Sequence, residues 1–158
     1  MNIIVAINNL NGIGCNGSIP WHNKNDLQFF KLMTYGNNVY MGGKTYDSLG
    51  GQLKDRCNYV LSRTKRKDVY TYTDPDKFTT AILNDPSGFI IGGESIYDMA
   101  LRYNVVSNIY LSRINDNSPC DKFFYVPHSF KLISAVRLEG LIVERYSSKF
   151  KNKLYRII

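Results

Sequence analysis

The sequence predicts an α/β fold: one domain built on a mainly parallel sheet, with helices on both faces and antiparallel strands at its end. Three observations predict it. Short apolar runs rich in β-branched and aromatic residues alternate with segments of helical period through the first two thirds of the chain. The last third holds apolar runs with no helical segment between them. The 158 residues fit a single domain, 1–158, and no repeat, low-complexity tract or linker divides them.

In order, the expected strands are IIVAIN (3–8), NVYMG (38–42), NYVLS (58–62), GFIIGG (88–93) and NIYLSRI (108–114), each bounded by turn formers. Helices are expected at 25–35, briefly from Thr45, at 76–84 behind Pro75, and at 94–103 behind a glycine pair. Strands joined through helices run parallel, because parallel neighbours need a long crossover. FKLISAVRL (130–138), LIVERYS (141–147) and NKLYRII (152–158) follow, with Glu139-Gly140 as a tight turn, and these are expected to close the sheet antiparallel.

Composition excludes several classes. Hydrophobic content of 44% and charged content of 21% describe an ordinary globular protein. MNIIVAIN has no basic leader and is too short an apolar run for a signal peptide or a membrane span, so a cytoplasmic location and no membrane partner are expected. The Asn16-Gly17-Ser18 match to a glycosylation acceptor is then coincidental. Cys15, Cys57 and Cys120 are odd in number and form no CxxC pair, and only His22 and His128 could join them; no metal site is expected. Twenty Lys+Arg against 13 Asp+Glu give a net charge of +7, which favours acidic partners: nucleic acid, an anionic surface or small polyanions such as nucleotide cofactors. The positive charge concentrates in RTKRK (63–67) and KFKNKLYR (149–156), and clusters of this size are more often solvated loops than binding devices.

Two glycine motifs fail as written. GIGCNG (12–17) satisfies GxGxxG after the first strand, but Pro20-Trp21 follows where the dinucleotide turn needs a helix, so it reads as a surface loop. GGKT (42–45) lacks the leading glycine of a P-loop, Asn38 standing there. What survives is a strand delivering Gly42-Gly43 to a helix opened by Lys44-Thr45, and a second strand delivering Gly92-Gly93 to a helix near Glu94 or Ser95. Two such turns at the carboxyl ends of parallel strands lie where these sheets bind anionic ligands. In IPWHNKNDLQFFKLM (19–33), Asp26, Phe29, Phe30 and Met33 share one helical face, which puts a carboxylate against apolar side chains. Alternatively, Asn23 or Asn25 caps the helix and Asp26 merely answers its dipole.

VAINNLNGIGCNGSIPWHNKNDLQFFK, VYMGGKTYDSL, LKDRCNYVLSR, FIIGGESIYDMAL and NIYLSRI stand in the order and spacing of the dihydrofolate reductase family, and the resemblance runs from Met1 to Ile158. It implies an eight-stranded sheet with four helices, NADPH as hydride donor and dihydrofolate as acceptor. Asp26 then matches the ionisable group of the pterin pocket, which pairs with N3 and the 2-amino group. Held by that edge, the ring favours protonation at N5 while C6 takes the hydride. Ile19 and Trp21 match the catalytic side of a mobile flap, 12–21, that closes over the nicotinamide.

The substrate set implied is Ile4, Val5, Ala6, Asp26, Leu27, Phe30, Leu49, Leu53, Ile91, Tyr97 and Ser112, with Arg56 on the α-carboxylate of the glutamate tail. The cofactor set is Ala6, Ile13, Gly14, Gly17 and Ser18; Gly42, Gly43, Lys44 and Thr45; Leu61, Ser62 and Arg63; and Ile91, Gly92, Gly93, Glu94, Ser95, Ile96 and Tyr97. In the family, the glycine pair matching Gly92-Gly93 is joined by a cis peptide. Antifolates such as methotrexate and trimethoprim-like inhibitors are expected ligands, and a monomer is expected. Gly43 departs from the pattern, since many members carry a basic residue there; 2′-phosphate recognition then falls to Lys44, Arg63 and Lys65. Lys122 and Tyr125 also depart, at a loop that contacts the flap, and His22 occupies a variable flap position. Rival readings are a nucleic-acid-binding module using the two basic clusters, and a related pteridine or pyrimidine reductase such as that of riboflavin synthesis. No RNP-like or helix-turn-helix pattern supports the first, and Asp26 together with Arg56 argues for folate.

Overall fold

Ile3, Ile4, Val5 and Ile7 are all buried, which a strand achieves only when both of its faces are covered. That strand, β1 (Asn2–Ile7), accordingly sits inside the sheet of the computed structural model, which describes residues 1–148. There follow β2 (Gly12–Gly14), α1 (Lys24–Thr34), β3 (Asn38–Gly42), α2 (Gly43–Leu49), β4 (Cys57–Leu61), β5 (Tyr70–Tyr72) and α3 (Pro75–Leu83). The chain continues through β6 (Phe89–Gly92), α4 (Glu94–Arg102), β7 (Asn108–Ile114), β8 (Lys122–Phe123), β9 (Lys131–Leu138) and β10 (Leu141–Ser147).

Eight strands form one sheet in the order β5-β4-β3-β6-β1-β7-β10-β9. The pairs from β5 to β7 are parallel, whereas β10 runs antiparallel to both β7 and β9. Ile3, Val5, Ile7, Ile109 and Leu111 meet Phe78 and Ile82 of α3 and Ile96 and Ala100 of α4 on one face. Ile4, Val39, Met41, Val60 and Phe89 meet Phe29, Phe30 and Met33 of α1 and Tyr46 of α2 on the other. Each fully buried aliphatic side chain contributes about 1.5–3 kcal/mol, so this alternation fixes which face of β1 and β7 looks at α1.

The expected helices and long strands form within a residue or two of their expected bounds. Three short strands went unforeseen: β2, β5 and β8, each of three residues or fewer and too short to show a period. The segment read as a loop at 12–17 therefore contains a strand, with β2 pairing antiparallel to β8 in a separate two-stranded sheet. The strand expected at 152–158 and the basic cluster at 149–156 lie outside the described residues. Gly140, at φ 76°, makes the turn between β9 and β10.

Candidate active site

The helix carrying Asp26 starts because Asn23 caps it: the Asn23 side chain accepts from the Asp26 N–H at 2.9 Å. Both readings of Asp26 thus hold in part. Its backbone belongs to the capped first turn, while its carboxylate lies against the sheet beside Ser112, which is 1% exposed. Burial pushes the Asp26 pKa up and the Ser112 hydroxyl opposes that rise. Ser112 is in register with Ala6, so β1 and β7 present both to α1.

Around this carboxylate the structure gathers Ile4, Phe30, Leu53 and Ile91, all in or against the α1-side cluster. Leu53 is fixed by Asn58, which accepts from the Leu53 N–H and donates to its carbonyl, both at 2.9 Å. The Tyr97 hydroxyl crosses from α4 to donate to the Ile4 carbonyl at 2.9 Å. Burial and the neighbouring Asp26 charge push its pKa up, so it stays a phenol. Arg56 lies at the outer end of the same face, its Nη1 donating to Thr34 Oγ1 at 3.0 Å and its Nε to the Lys54 carbonyl at 2.8 Å. Leu27, Leu49 and Ile19 are exposed, at 53%, 40% and 59%. Val5 and Ile96 point into the opposite core, and Ile13 and Leu61 pack against it, which leaves their main-chain atoms as the groups available to the α1 side.

The second cluster forms where the two glycine turns meet. Gly92-Gly93 is a cis peptide. A Cβ on Gly92 would stand 3.4 Å from Thr45 Oγ1 and 3.5 Å from the Tyr97 hydroxyl, and one on Gly93 3.4 Å from Thr45 Oγ1. The turn at β6 and the start of α2 therefore face each other with side-chain volume left out between them. Among the described residues no side chain caps α2 or α4, which leaves the opening N–H groups of each helix, such as those of Glu94 and Ser95, with donor capacity. Glu94 turns its carboxylate away, accepting from the Phe123 N–H of β8 at 2.7 Å. Since β8 pairs with β2, this bond ties the α4 turn to the expected flap. Asp121 secures the flap a second time: it accepts from the Asn16 N–H at 3.0 Å and donates its own N–H to the Gly14 carbonyl at 2.9 Å.

Beyond Gly43, a loop built from 62–69 folds back on α2. Arg66 donates to both Asp47 carboxylate oxygens, at 2.9 and 3.0 Å, while Arg63, Lys65 and Lys67 are exposed. Among the described residues no group of three or more His, Cys, Asp or Glu side chains could hold a metal, and no helix is long and apolar enough to cross a membrane.

The sequence pattern that defines the family described as dihydrofolate reductase matches residues 1–152. The chain belongs to the dihydrofolate reductase family. It is 34% identical over 149 residues to the type 9 dihydrofolate reductase of Escherichia coli, covering 86% of this chain and 83% of that one. With the dihydrofolate reductase of Staphylococcus haemolyticus it shares 33% over 129 residues, 80% and 76% of the two chains. The fold matches a solved dihydrofolate reductase from Enterococcus faecalis complexed with NADP(H) and RAB-propyl, at a TM-score of 0.80 and 22% identity, covering 92% and 94%.

Three residues that tie this site together were not singled out from the sequence, Thr34, Asp121 and Arg66, and for Glu94 the bond to β8 was not foreseen. Thr34 is buried, and only its contact with Arg56 reveals its part. Asp121 and the Glu94 bond to β8 depend on a two-residue strand that has no sequence signature. Arg66 was visible only as one of the four basic residues in RTKRK.

Proposed function

We propose that the chain acts as an NADPH-dependent dihydrofolate reductase, with Asp26 holding the pterin ring. The observation that carries the residue assignment is a carboxylate kept against apolar walls and one hydroxyl, with its charge poorly solvated and its pKa raised. Such a group gains most from a ligand offering two adjacent N–H donors, which the N3/2-amino edge of a pterin does. Pairing there fixes the ring's orientation and stabilises the form that accepts a proton at N5. Ile4, Phe30, Leu49 and Leu53 flank the rings, and Arg56, already aligned by Thr34, is free to meet the glutamate carboxylate.

The residues present fit the cofactor. The space left over Gly92 and Gly93, the uncapped start of α4 and the basic loop beyond Gly43 suit an elongated polyanion. When bound, NADPH supplies the hydride. Thr45, Ser95 and the main chain of 92–94 hold its phosphates, Ala6 and Tyr97 flank the nicotinamide, and Ile19 and Trp21 close with the flap to exclude water. Antifolates that offer an amino-substituted ring to Asp26 bind the same pocket. The reading extends to a cytoplasmic monomer, in whose reducing surroundings Cys15, Cys57 and Cys120 stay free thiols.

The test is the loss of NADPH absorbance when dihydrofolate is added to the purified chain, with Asp26→Asn in parallel. Rapid oxidation that falls at least 100-fold in the variant is expected. NADPH binding without dihydrofolate turnover would redirect the substrate to another pteridine or pyrimidine, and size-exclusion chromatography checks the monomer.

A further inference from the structure

We propose that Arg66 is the residue that selects the 2′-phosphate of the cofactor, filling the position left open by Gly43; this rests on the cofactor reading above. Gly43 is the first residue of α2 and carries no side chain. A Cβ built there would stand 3.0 Å from Ser62 Oγ and 3.2 Å from Arg66 Nη2. The space that a basic side chain at 43 would cross is thus occupied by a guanidinium arriving from the neighbouring loop. The missing side chain at Gly43 and the arginine at 66 are two halves of one arrangement.

The Arg66 fork is held from three sides. Nε and Nη2 donate to Asp47 Oδ1 and Oδ2 at 2.9 and 3.0 Å, Nη1 donates to the Thr64 carbonyl at 3.0 Å and also meets Thr64 Oγ1, and the main-chain N–H donates to Thr71 Oγ1 at 2.9 Å. These bonds leave the second N–H of Nη2, the guanidinium nitrogen beside Gly43, without a partner among the described residues. Ser62 Oγ accepts from the Thr64 N–H at 3.3 Å, which leaves the Ser62 hydroxyl proton free to donate toward the same space. A fixed guanidinium donor and a hydroxyl donor side by side suit a phosphate, and they give a ribose hydroxyl far less.

Arg63, Lys65 and Lys67 share the loop but are exposed, and among the described residues no hydrogen bond holds their side chains. A phosphate would have to order each of them, whereas Arg66 is already ordered. Asp47 subtracts charge from this site. Asp47 stands open to solvent while Arg66 is partly covered, so water screens much of that opposing field and the gain in alignment survives.

Equilibrium titration of the full chain with 2′,5′-ADP and with 5′-AMP, which differ only in the 2′-phosphate, tests the assignment without turnover. Trp21 fluorescence quenching by NADPH and NADH repeats it on whole cofactors. Arg66→Ala is expected to weaken 2′,5′-ADP and NADPH at least tenfold while 5′-AMP and NADH stay within twofold. Arg63→Ala and Lys65→Ala are expected to cost less than threefold. If the alanine variant does not fold, Arg66→Gln, which can still hydrogen-bond Asp47 and Thr64 without the charge, should give the same selective loss. An equal loss for ligands with and without the 2′-phosphate would make Arg66 only a brace for the loop, and a larger selective loss at Arg63 would move the role there; either result overturns the proposal. If the wild type binds neither NADPH nor NADH, the cofactor reading falls and takes this assignment with it.

Discussion

Asp26 and Asp47 begin with the same intrinsic acidity and are driven in opposite directions. Asp26 lies between α1 and the sheet with no cation beside it among the described residues, and burial raises its pKa. Asp47 lies in water on α2 with the Arg66 fork across both oxygens, and that bond lowers its pKa. The first region stores an unmet demand for hydrogen-bond donors that a ligand can satisfy. In the second, the demand is already met inside the protein, and what remains is a fixed geometry around Gly43. In the proposed reading, the pterin end acts through poor solvation and the adenosine end through alignment.

The sharpest way to break this comparison is Asp26→Asn. The amide cannot present two acceptor oxygens, so kcat/KM should fall about 10²–10⁴-fold at neutral pH, the range for a lost acid–base group. Stability should move the other way. With the folded pKa above the ordinary carboxylate value, the folded state holds more proton than the unfolded state between the two pKa values, so stability drops as pH rises through that window and the penalty is complete above the folded value. Denaturant titrations should find the variant more stable than the wild type at pH 7, with the difference closing toward pH 3. A variant less stable at pH 7 would mean that the carboxylate is not an uncompensated charge.

Arg56→Lys comes next in size. Lysine cannot reproduce both the bond to Thr34 Oγ1 and the paired donors offered to a carboxylate. KM for dihydrofolate should rise about tenfold, corresponding to roughly 1.4 kcal/mol, with kcat nearly unchanged. A pterin lacking the glutamate tail should bind wild type and variant alike; a loss there too would place Arg56 in the scaffold.

These two positions also show what was legible. Asp26 stood out because a carboxylate on an apolar helix face contradicts its surroundings, and such contradictions mark function. The long strands were legible for the same kind of reason: buried alternation such as Ile3, Val5 and Ile7 repeats over enough residues to be read. Thr34 and Arg66 carry no such contradiction. Each becomes informative only through a partner far along the chain, and with β2 and β8 reduced to three and two residues no period announced the flap's second strand. For Glu94 the signal was misdirected: its place at a glycine turn pointed to the cofactor, while its carboxylate is spent on Phe123.

That Glu94 bond sets the smallest effect, and it joins the two regions. Glu94→Ala leaves the Phe123 N–H to solvent and unties β8 from the start of α4, so the segment carrying β2 loses one anchor while the bonds of Asp121 remain. A charge-assisted bond of this kind is worth up to about 1.5 kcal/mol when partly exposed, so a two- to tenfold loss is the bound. It should appear as faster NADPH dissociation in stopped-flow with little change in melting temperature, because the bond lies at the rim of the fold and not in either core. Glu94→Gln keeps an acceptor oxygen and should recover most of the wild-type rate. If alanine and glutamine behave alike, the effect belongs to the carboxylate's charge beside the cofactor phosphates; alanine should then slow dissociation by removing a repulsion, a change opposite in sign to the loss of an anchor.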